Sequence, residues 1–514
     1  MPIPSSAAEE AVAAELAAVR PALVPSYAAS LGGARAAVLT RLWRALAFEP
    51  LPWVVGREAA PGGLALLLAG GGRLEGPPPD PYATQAYVEE LLLDGRAHRR
   101  AGQLVRALGI PHGEDFAAEL DASTASLALS RAGQPPAEEG AAAEDPAGED
   151  PAALATWEWE QRVVDGHPFH PNCRSRPGFS VAEQLAYAPE HRPVVELGLV
   201  PVRAEECLVT GDWPERLRDG GRILLPVHPW QAAHVLKHER VRTGFAAHPL
   251  MALRTLAPAD GGAHVKTALS ARLTSSVRDI SVYSIETAAA VSAFAQGLAE
   301  RLDGRLHITR TLGAATAHSP DLAAVLREPP EAYADASAGE RVLPVAALTC
   351  YPPARSAAWR ARFARLALSV GLRVLGLGVA LEAHGQNLLV VLSPAGAPVR
   401  LVYRDLADIR ISPARLRAHG LPVPPLSGRL VTDDVDVLRR KLFGSLLTGA
   451  LGATAGSAGA FAGALAEAAG LPATADTEAL LRSPLPTKAL TLMRLSPGVP
   501  GDQWAELPNP LAGR

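Results

Sequence analysis

Residues 193–202 read PVVELGLVPV, a short apolar run that begins and ends beside prolines. Four similar runs follow at irregular intervals: GRILLPVHPWQ (221–231), HVKTALSARLTS (264–275), RLHITRTLG (305–313) and RVLPVAALTC (341–350). Short apolar runs between turn-forming residues are typical of buried strands. Because several of the gaps are too short for a crossover helix, the pattern predicts a substantial sheet of antiparallel or mixed strands.

Helical and hairpin patterns flank this strand-rich centre. The apolar spacing predicts helices over residues 7–18 and 34–47, and a long helix that begins near Trp359. GGLALLLAGGGRLEG (62–76) predicts two strands joined by a Gly-rich turn, whereas DPYATQAYVEELLLDG (80–95) predicts a helix. The last part of the chain is largely helical in pattern. The predicted fold class is therefore α+β.

The length and one change in composition predict several domains. A chain of 514 residues is too long for one ordinary core. Residues 132–153, AGQPPAEEGAAAEDPAGEDPAA, are acidic, rich in Pro and Ala and without aromatics. Such a composition is typical of a linker or a surface loop. We expect three domains, over residues 1–153, 154–330 and 331–514.

The composition also argues against several classes of protein. With 48% hydrophobic and 20% charged residues, the chain resembles an ordinary globular protein. A net charge of -4 does not support binding to nucleic acid through a broad basic surface, so we expect no nucleic-acid partner. The three cysteines, Cys173, Cys207 and Cys350, lie far apart and form no CxxC pair. This argues against a disulfide framework, a Cys-type zinc site and an iron–sulfur cluster.

Two segments bear on targeting and on membranes. The apolar pattern at the N-terminus is interrupted by Glu9, Glu10 and Glu15, so it predicts an amphipathic helix rather than a signal peptide. Residues 442–470 carry no charge until Glu467 and could nominally span a bilayer. Their centre, GATAGSAG, predicts a break between two buried helices instead. We expect a cytoplasmic protein with no membrane partner.

Four polar segments stand out because each is embedded in strand-like sequence. They are GHPFHPNCRSRPGFS (166–180), PVHPWQ (226–231), KTALSARLTSSVRDIS (266–281) and EAHGQN (382–387), the last followed by Arg404 and Asp405 after the next strand pair. In the first segment, Pro168 and Pro171 disfavour a helix and predict a stiff, extended loop. In the third, a period of two would place Lys266 and Thr274 on one face of a strand.

Together these segments supply one set of side chains: Lys, Arg, Ser or Thr, His, Glu and Asp. Lysine and arginine with hydroxyl groups bind phosphate oxygens, whereas carboxylates and amides bind Mg²⁺. The set predicts a nucleoside triphosphate site, although no GxxxxGK[ST] loop is present. A zinc site at His167 and His170 fits less well, because there is no HExxH helix and the neighbouring arginines repel a cation.

The four segments and the YRDL sequence at 403–406 resemble the IucA/IucC family in order and approximate spacing. These are the siderophore synthetases that work independently of nonribosomal peptide synthetases. The resemblance covers residues 166–410 or so. It implies a cytoplasmic homodimer shaped like a cupped hand, with a thumb (1–153), fingers (154–330) and palm (331–514). It also implies that ATP is used to adenylate a carboxylate, typically citrate, which is then condensed with an amine or alcohol as AMP and pyrophosphate are released.

The resemblance assigns roles residue by residue. The implied catalytic residues are Arg278, His170 and Lys266. The implied ATP-binding residues are Arg254, Lys266, Thr274, Arg278, His384, Gln386 and Asn387. The implied carboxylate-binding residues are His170, Arg174 and Arg176, and the implied Mg²⁺ ligands are Glu382 and Asp405. Two positions depart from the family pattern: Ala252 stands where a Ser is common, and Arg174 stands where many members have Lys.

Physical chemistry supports the assignment of the first segment. Citrate is a trianion near neutral pH, so its site needs several fixed cationic or imidazole donors. A proline-stiffened loop loses little conformational entropy when it presents them. An alternative interpretation of the loop is a rigid connector with incidental charge.

Two other function classes fit part of this set. HGQN followed by an Asp resembles the catalytic end of small-molecule kinases. Gln386, however, stands where a kinase would have its Asp base, and a carboxylate nucleophile needs no base because it is already ionised at pH 7. The third class, a non-catalytic protein that binds a nucleotide or a siderophore, would not need a complete set of metal and phosphate ligands. The synthetase is therefore the favoured interpretation.

Overall fold

The computed structural model describes residues 5–135, 154–237, 241–273, 276–466 and 471–512. Its architecture is α+β, with mostly antiparallel sheets and a C-terminal part rich in helices, which confirms the predicted fold class. Most of the predicted linker (132–153) and Thr274, a predicted ATP ligand, lie outside the described residues. The predicted domain boundaries at 153/154 and 330/331 remain predictions.

The N-terminal region packs four helices against a small sheet. The helices are α1 Ala7–Val19, α2 Val24–Phe48, α3 Ala101–Leu108 and α4 Gly113–Ala132, and the strands are β1 Val54–Ala60, β2 Gly63–Leu68, β3 Arg73–Gly76, β4 Leu91–Leu93 and β5 Arg96–His98. The sheet runs β1-β2-β3-β4-β5, with each strand antiparallel to its neighbours. Trp43 and Phe116 are buried in the shared core. The predicted helices and the predicted 62–76 hairpin are confirmed.

The predicted helix over residues 80–95 is wrong. Only its end is regular, and that end is the start of the hairpin formed by β4 and β5. Asp94 and Gly95, the two residues of the turn, both have positive φ, 50° and 77°. A type I′ turn requires positive φ at both central residues, which is why Asp-Gly favours it. The local Asp-Gly preference outweighs the weak helical spacing of the preceding residues.

The central region is built on a large sheet, as predicted, and four of the five short apolar runs supply strands to it; residues 341–350 belong to a different sheet. Its strands are β6 Val195–Arg203, β7 Leu208–Gly211, β8 Arg218–Asp219, β9 Arg222–Val227, β10 Arg242–Pro249, β11 Thr255–Pro258, β12 His264–Thr267, β16 Thr311–Ser319 and β17 Leu322–Arg327. The order is β7-β16-β17-β12-β11-β10-β6-β9-β8, and all neighbours are antiparallel. Two short helices, α5 Thr156–Gln161 and α6 Val181–Tyr187, precede β6, and a third, α7 Pro229–Gln231, follows β9. The long helix α8 Val282–Ala299 packs on the sheet.

The third polar segment does not form one continuous strand. β12 ends at Thr267, and the chain then enters a separate two-stranded hairpin, β13 Leu269–Leu273 and β14 Ser276–Arg278. Lys266 therefore belongs to the large sheet, whereas Arg278 belongs to the hairpin. The period-two relation expected between Lys266 and Thr274 does not hold along a single strand, because the chain changes sheets at Ala268.

The C-terminal region surrounds a four-stranded mixed sheet with helices. The strands are β15 Leu306–Ile308, β18 Arg341–Pro344, β20 Leu388–Leu392 and β21 Pro398–Tyr403, in the order β15-β21-β20-β18, and β15 is parallel to β21. A further pair is β19 Val379–Ala380 and β22 Arg410–Ile411. The helices are α9 Ala357–Leu377, α10 Pro413–Ala418, α11 Val435–Phe443, α12 Gly452–Ala455, α13 Ala458–Leu465 and α14 Ala475–Arg482. The long helix predicted near Trp359 is α9.

The apolar segment from 442 onward is a pair of buried helices, as predicted. A π-helix, Gly444–Leu451, joins α11 to α12, and Gly456 ends α12 with a positive φ of 77°. Ser457 then caps α13. Within the described residues, no helix is both long and apolar enough to cross a bilayer.

The end of the chain returns to the N-terminal core. β23 Leu485–Lys488 pairs with β24 Trp504–Leu507, and the helix α15 Leu490–Leu495 lies between them in sequence. Leu492 and Leu495 are buried with the N-terminal helices. The Glu49 carboxylate, at the end of α2, accepts hydrogen bonds from the backbone N–H groups of Thr491 (3.2 Å) and Leu492 (2.7 Å). One wall of the site described next is therefore built from the two extremes of the sequence.

Candidate functional site

A cavity of about 1380 Å³ lies where the N-terminal, central and C-terminal regions meet. A pocket for a single small ligand usually measures about 300–1,000 Å³, so this cavity has room for more than one substrate. The predicted site residues that line it are His170, Arg174, Arg176, Arg254, Lys266, Arg278, Glu382, His384, Gln386, Asn387 and Asp405. The structure therefore brings together every predicted site residue that it describes.

One end of the cavity is a cluster around Asp405, which follows β21. The backbone of Asp405 is in the left-handed region, with φ of 75°, and its carboxylate accepts from Lys266 Nζ at 2.7 Å and from Arg327 Nη2 at 2.9 Å. Lys266 and Arg327 lie on the adjacent antiparallel strands β12 and β17, where His264 pairs with Arg327 and Lys266 with Val325. Both side chains therefore emerge on one face of the large sheet.

Two more arginines complete what we term the Asp405 cluster: Arg254, Lys266, Arg278, Arg327 and Asp405. Arg254 Nη1 donates to the backbone carbonyls of Arg278 and Asp279, the latter at 2.7 Å. This contact ties the hairpin β13–β14 to the loop before β11. The cluster contains four cations and one carboxylate, so its positive charge exceeds what Asp405 can neutralise.

Burial makes this excess of positive charge costly in the free protein. Burial lowers the pKa of Lys266 to about 7, and the Asp405 carboxylate opposes that shift only in part. Burial likewise lowers the pKa of Arg254 to about 10. Burial alone would raise the pKa of Asp405, but Arg327 and Lys266 hold it well below its ordinary value of 3.8. An incoming polyanion would relieve the repulsion among the cations, as a phosphate chain does when Lys and Arg bind it.

The HGQN segment forms a tight turn beside this cluster. His384 Nδ1 accepts from the backbone N–H of Gln386 at 3.2 Å, and Asn387 Nδ2 donates to the carbonyl of Glu382 at 3.3 Å. Gly385 packs so closely on Ala346 that an added Cβ would lie 3.1 Å from its backbone nitrogen. The turn is thus held by its own side chains.

A buried carboxylate that sequence reasoning missed joins this turn to the loop before β11. Glu160, at 1% exposure, accepts from Arg404 Nη1 at 2.6 Å and from the backbone N–H of Met251 at 3.0 Å. Arg404 Nε in turn donates to the carbonyl of Gln386 at 3.0 Å. Glu160 therefore fixes the position of HGQN relative to the central region.

Glu382, a predicted Mg²⁺ ligand, lies in an ion network. Its Oε1 is 3.0 Å from Lys488 Nζ and 3.3 Å from Lys441 Nζ, and Lys441 is also 2.6 Å from Asp408 Oδ2. Asp405, the second predicted ligand, is likewise bound to two cations. Among the residues that the structure describes, no group of three or more His, Cys, Asp or Glu side chains could hold a metal ion. In the ligand-free protein both carboxylates are bound to lysine or arginine side chains, so they do not form a preformed metal centre.

The HPFHP loop is a series of tight turns rather than the extended segment that its prolines predicted. Backbone hydrogen bonds close turns from Cys173 to the His170 carbonyl (3.2 Å) and from Ser175 to the Asn172 carbonyl (3.0 Å). The loop packs on α4, where Ser123 Oγ donates to the Pro171 carbonyl at 3.0 Å. Proline excludes the helix, but the contacts with α4 decide the actual path.

His170 faces the cavity as a buried, neutral imidazole. The residue is 4% exposed, and neither ring nitrogen has a hydrogen-bond partner among the described residues. Burial, together with the charge of Arg278, lowers the pKa of His170 to about 3. Buried polar atoms are usually paired, so two free ring nitrogens mark a place where a ligand can bind.

Arg174 and Arg176, predicted to bind the carboxylate substrate, are bound to the protein itself. Glu190, fully buried in its side chain, lies 2.6 Å from Arg176 Nη2 and 3.3 Å from Arg174 Nη1. Arg174 Nη2 also donates to the Val163 carbonyl at 2.6 Å. Burial would raise the pKa of Glu190, but the two arginines hold it well below 4.5. We term Arg174, Arg176 and Glu190 the Glu190 cluster.

The HPWQ segment, by contrast, has a structural role. His228 Nδ1 accepts from the backbone N–H of Trp230 and begins the short helix α7. Gln231 Oε1 accepts from the backbone N–H of Ser270 at 2.7 Å, and its Nε2 donates to Ser270 Oγ at 3.0 Å. These contacts attach β13 to the end of β9. None of the residues 226–231, all of which the structure describes, lines the cavity.

Some of the cavity residues that sequence reasoning missed carry a local sequence signal, and others do not. Arg327 ends the apolar run LAAVLR. A charged residue at the end of an apolar strand is a local signal that could have identified it. Lys441 and Lys488 follow no such local signal, because they come from a helix and from a strand late in the chain. Their place beside Glu382 depends on the packing of the C-terminal region.

Two family models match the chain. The IucA / IucC family matches residues 155–350, which include the HPFHP loop, Lys266 and Arg278. A model described as ferric iron reductase FhuF-like transporter matches residues 357–464, which include HGQN and Asp405. The two matches meet near the start of α9.

Curated relatives align over part of the chain. The rhizobactin siderophore biosynthesis protein RhbC from Rhizobium meliloti is 28% identical over 338 residues, which cover 52% of this chain and 56% of that protein. The citryl-spermidine/3,4-dihydroxybenzoyl-citryl-spermidine:spermidine ligase from Bacillus anthracis is 23% identical over 316 residues, which cover 49% and 51%. The chain spans about half the length of the curated relatives it matches.

Solved structures share the fold over nearly the whole chain. The petrobactin biosynthesis protein AsbB from Bacillus anthracis has a TM-score of 0.75 at 16% identity, with 95% of this chain and 98% of that one covered. ATP-bound aerobactin synthetase IucA from Klebsiella pneumoniae has a TM-score of 0.72 at 20% identity, with 94% and 99% covered. The family match over residues 155–350, the relatives and the shared fold agree, and together they confirm the resemblance of this chain to the IucA / IucC family.

Proposed function

We propose that this protein is an ATP-dependent siderophore synthetase. It adenylates a carboxylate, with citrate as the favoured substrate, and condenses the activated acid with an amine or an alcohol. AMP and pyrophosphate are the co-products. The proposed catalytic residues are Lys266, Arg278 and His170, which all line one cavity.

The observation that carries this proposal is the unequal charge of the Asp405 cluster. Lys266 and Arg327 contact Asp405 directly, and the charges of Arg254 and Arg278 act on the same carboxylate beside the HGQN turn. His170, which offers two free ring nitrogens within the described part of the chain, lines the same cavity. A polyphosphate and a polycarboxylate are the kinds of ligand whose charge would complement such a cavity.

In the first step, one carboxylate oxygen of the substrate attacks the α-phosphorus of ATP. The bond from that phosphorus to the oxygen bridging to the β-phosphorus breaks, and pyrophosphate leaves with the bonding electrons. Lys266 and Arg254 bind phosphate oxygens, while Arg278 contacts both the α-phosphate and the incoming carboxylate. The protein contributes mainly position and electrostatic stabilisation, because an ionised carboxylate needs no general base.

In the second step, a neutral amine or a hydroxyl attacks the acyl carbonyl carbon of the adenylate. A tetrahedral oxyanion forms, AMP leaves, and the nucleophile loses a proton to solvent. With its pKa lowered to about 3, His170 is neutral at pH 7 and acts as a hydrogen-bond donor through one ring nitrogen. It orients the carboxylate substrate or stabilises the oxyanion. The negative charge of the substrate is neutralised by arginine side chains instead.

Magnesium remains part of the proposal, with Glu382 and Asp405 as its candidate ligands. When bound with ATP it would screen the negative charge of the phosphates. Both carboxylates are bound to cationic side chains in the ligand-free protein, so a bound metal would draw most of its ligands from phosphate and water. The two steps above rest on the chain's own cations.

The remaining features of the proposal come from the family. Nucleotide binding is supported by the ATP-bound state of the Klebsiella pneumoniae IucA structure. Citrate and an amine are supported by the name of the Bacillus anthracis ligase, which refers to citryl-spermidine and to spermidine. A homodimer in the cytoplasm, with neither a nucleic-acid nor a membrane partner, stays a prediction.

The nucleotide products test this function. The purified protein, given ATP, Mg²⁺ and citrate, should release AMP and pyrophosphate, and hydroxylamine should trap the activated acid as a hydroxamate. Mass spectrometry of reactions with a panel of amines and alcohols would then identify the nucleophile. Stoichiometric ADP with a phosphorylated product would refute the synthetase and support a kinase. Binding of ATP and citrate with no turnover in the presence of any panel member would support a non-catalytic binder.

A further inference from the structure

A carboxylate on α4 is one of the groups that hold the loop presenting His170 from behind, together with Ser123 of the same helix. Asn172, two residues after His170, is fully buried, and its Nδ2 donates to Glu119 Oε2 at 2.7 Å. The Asn172 Oδ1 atom has no hydrogen-bond partner among the described residues, so the bond to Glu119 is what orients the amide. The position of the HPFHP loop therefore depends in part on where Glu119 is held.

The same carboxylate also binds the C-terminal segment. Arg494, on α15, contacts both oxygens of Glu119, and its Nε lies 2.9 Å from Oε2. The two side chains are 12% and 19% exposed, so water screens this pair little. Glu119 Oε2 thus accepts from the HPFHP loop and from α15 at once, across 375 positions of sequence.

Both segments that Glu119 joins are walls of the cavity. His170 lines it on one side, and Leu490 and Met493 of α15 line it on another. Glu119, Asn172 and Arg494 are not among the lining residues, so they stand behind the walls rather than in the site. Arg494 is nevertheless close enough for its charge to help lower the pKa of His170.

We infer that Glu119 is a positioning residue that holds the His170 loop and α15 at a fixed separation and so sets the affinity for the carboxylate substrate. It touches no substrate and acts through Asn172 and Arg494. The effect on substrate affinity rests on the proposed function, because that function supplies the carboxylate substrate. The mechanical coupling between the two walls does not depend on the reaction. The Asp405 cluster lies on other elements, so ATP binding should not depend on this link.

The first experiment measures the coupling in the ligand-free protein. Hydrogen exchange should accelerate in both peptides, 166–176 and 490–495, when either Glu119→Ala or Arg494→Ala is introduced. The matched control is Glu114→Ala, on the same helix, whose carboxylate is exposed and pairs with Arg106 at 3.4 Å. This control should leave both peptides unchanged. If each substitution accelerated exchange in only one of the two peptides, the inference would be overturned.

The second experiment separates positioning from general destabilisation. Glu119→Ala should raise the KM for citrate about tenfold or more, because small displacements of a binding group weaken binding strongly. The kcat and the Kd for ATP should change less than about threefold, since the nucleotide contacts remain. Glu119→Gln, which keeps a side-chain oxygen that can accept from Asn172 Nδ2, should raise the citrate KM less than Glu119→Ala does.

The outcomes distinguish this inference from the proposed function. If the wild-type protein releases no AMP with citrate, the proposed function fails, while hydrogen exchange still tests the link. If the wild-type protein is active and Glu119→Ala keeps its citrate KM, the inference fails and the function stands. Equal losses of citrate and ATP binding in Glu119→Ala, with no smaller effect in Glu119→Gln, would show only a structural role and would also overturn it.

Discussion

Two clusters of opposite design border the same cavity. In the Glu190 cluster, two arginines share one buried carboxylate, and Arg174 also donates to backbone carbonyls. In the Asp405 cluster, four cations surround one carboxylate, and burial leaves the pKa of Lys266 at about 7. The same residue types therefore have different roles. In the Glu190 cluster most of the donors are already used by the fold, although Arg176 Nη1 has no partner among the described residues, whereas in the Asp405 cluster the cations outnumber the carboxylate.

The largest effect expected from this difference is on stability. Replacing Glu190 by Ala leaves two buried guanidinium groups without their carboxylate and should lower the free energy of unfolding by about 3–5 kcal/mol. Urea denaturation followed by tryptophan fluorescence measures it. Asp303→Ala is a matched control, because it breaks an ion pair with Arg373 in which the aspartate side chain is 72% exposed. If the Glu190→Ala protein unfolds like the wild type but loses citrate turnover, the Glu190 cluster is part of the substrate site.

In the Asp405 cluster the large effect should fall on catalysis instead. Arg278→Ala and Lys266→Ala should each lower the rate of adenylation by about 10²–10³, because they remove charge that stabilises the transition state. Stability should change little, since Asp405 keeps Arg327 when Lys266 is lost. Pyrophosphate exchange and urea denaturation check the two halves of this prediction. Arg310→Ala, which alters an exposed arginine paired with Glu328, is the control. Near-normal exchange in both variants would remove this cluster from the site.

The third prediction is that His170 donates a hydrogen bond to the carboxylate substrate. His170→Ala should weaken citrate binding about 10- to 150-fold, or about 1.5–3 kcal/mol, which is usual for a hydrogen bond to a charged group. ATP affinity should stay nearly constant, because Lys266, Arg278 and HGQN remain. Calorimetric titration of each ligand into both proteins measures this. If His170 held zinc instead, chelators would inactivate the wild type and Mg²⁺ would not restore it.

The smallest effect concerns the pH dependence of the Glu190 cluster. The pKa of Glu190 in the folded protein lies well below its ordinary value of 4.5, so the unfolded chain takes up this proton first in acid. The stabilisation is complete above about pH 4.5 and is lost as the pH falls, by at most about 1.4 kcal/mol per pH unit. Glu190→Gln should flatten the stability curve between about pH 5 and about pH 3. An unchanged slope in that variant would assign the acid sensitivity to other carboxylates.

Much of the fold could be predicted because its signals are local. Four of the five short apolar runs supplied strands of the nine-stranded sheet, residues 341–350 supplied β18 of the four-stranded sheet, and the spacing from Trp359 became α9. The errors were also local in origin. The helical spacing of the 80–95 segment is misleading because Asp94-Gly95 encodes a hairpin, and residues 264–278 are not one strand because the chain changes sheets after β12.

The candidate site divides in the same way. The types of residue in the cavity were predictable, because Lys266, Arg278, His384 and His170 each lie in a distinctive polar segment. Their partners were less so. Glu190 binds Arg174 and Arg176, which remain predicted substrate ligands, and two lysines flank Glu382, which remains a predicted Mg²⁺ ligand.

By itself, the sequence determined the set of chemical groups and the elements that carry them. Proline, glycine and apolar spacing act through neighbouring residues, so their consequences can be read along the chain. The tertiary structure alone decided which charges neutralise one another. Lys266 meets Asp405 across 139 positions and Glu119 meets Arg494 across 375. An ion pair depends on a distance of a few ångströms, and only the packing of distant elements sets that distance.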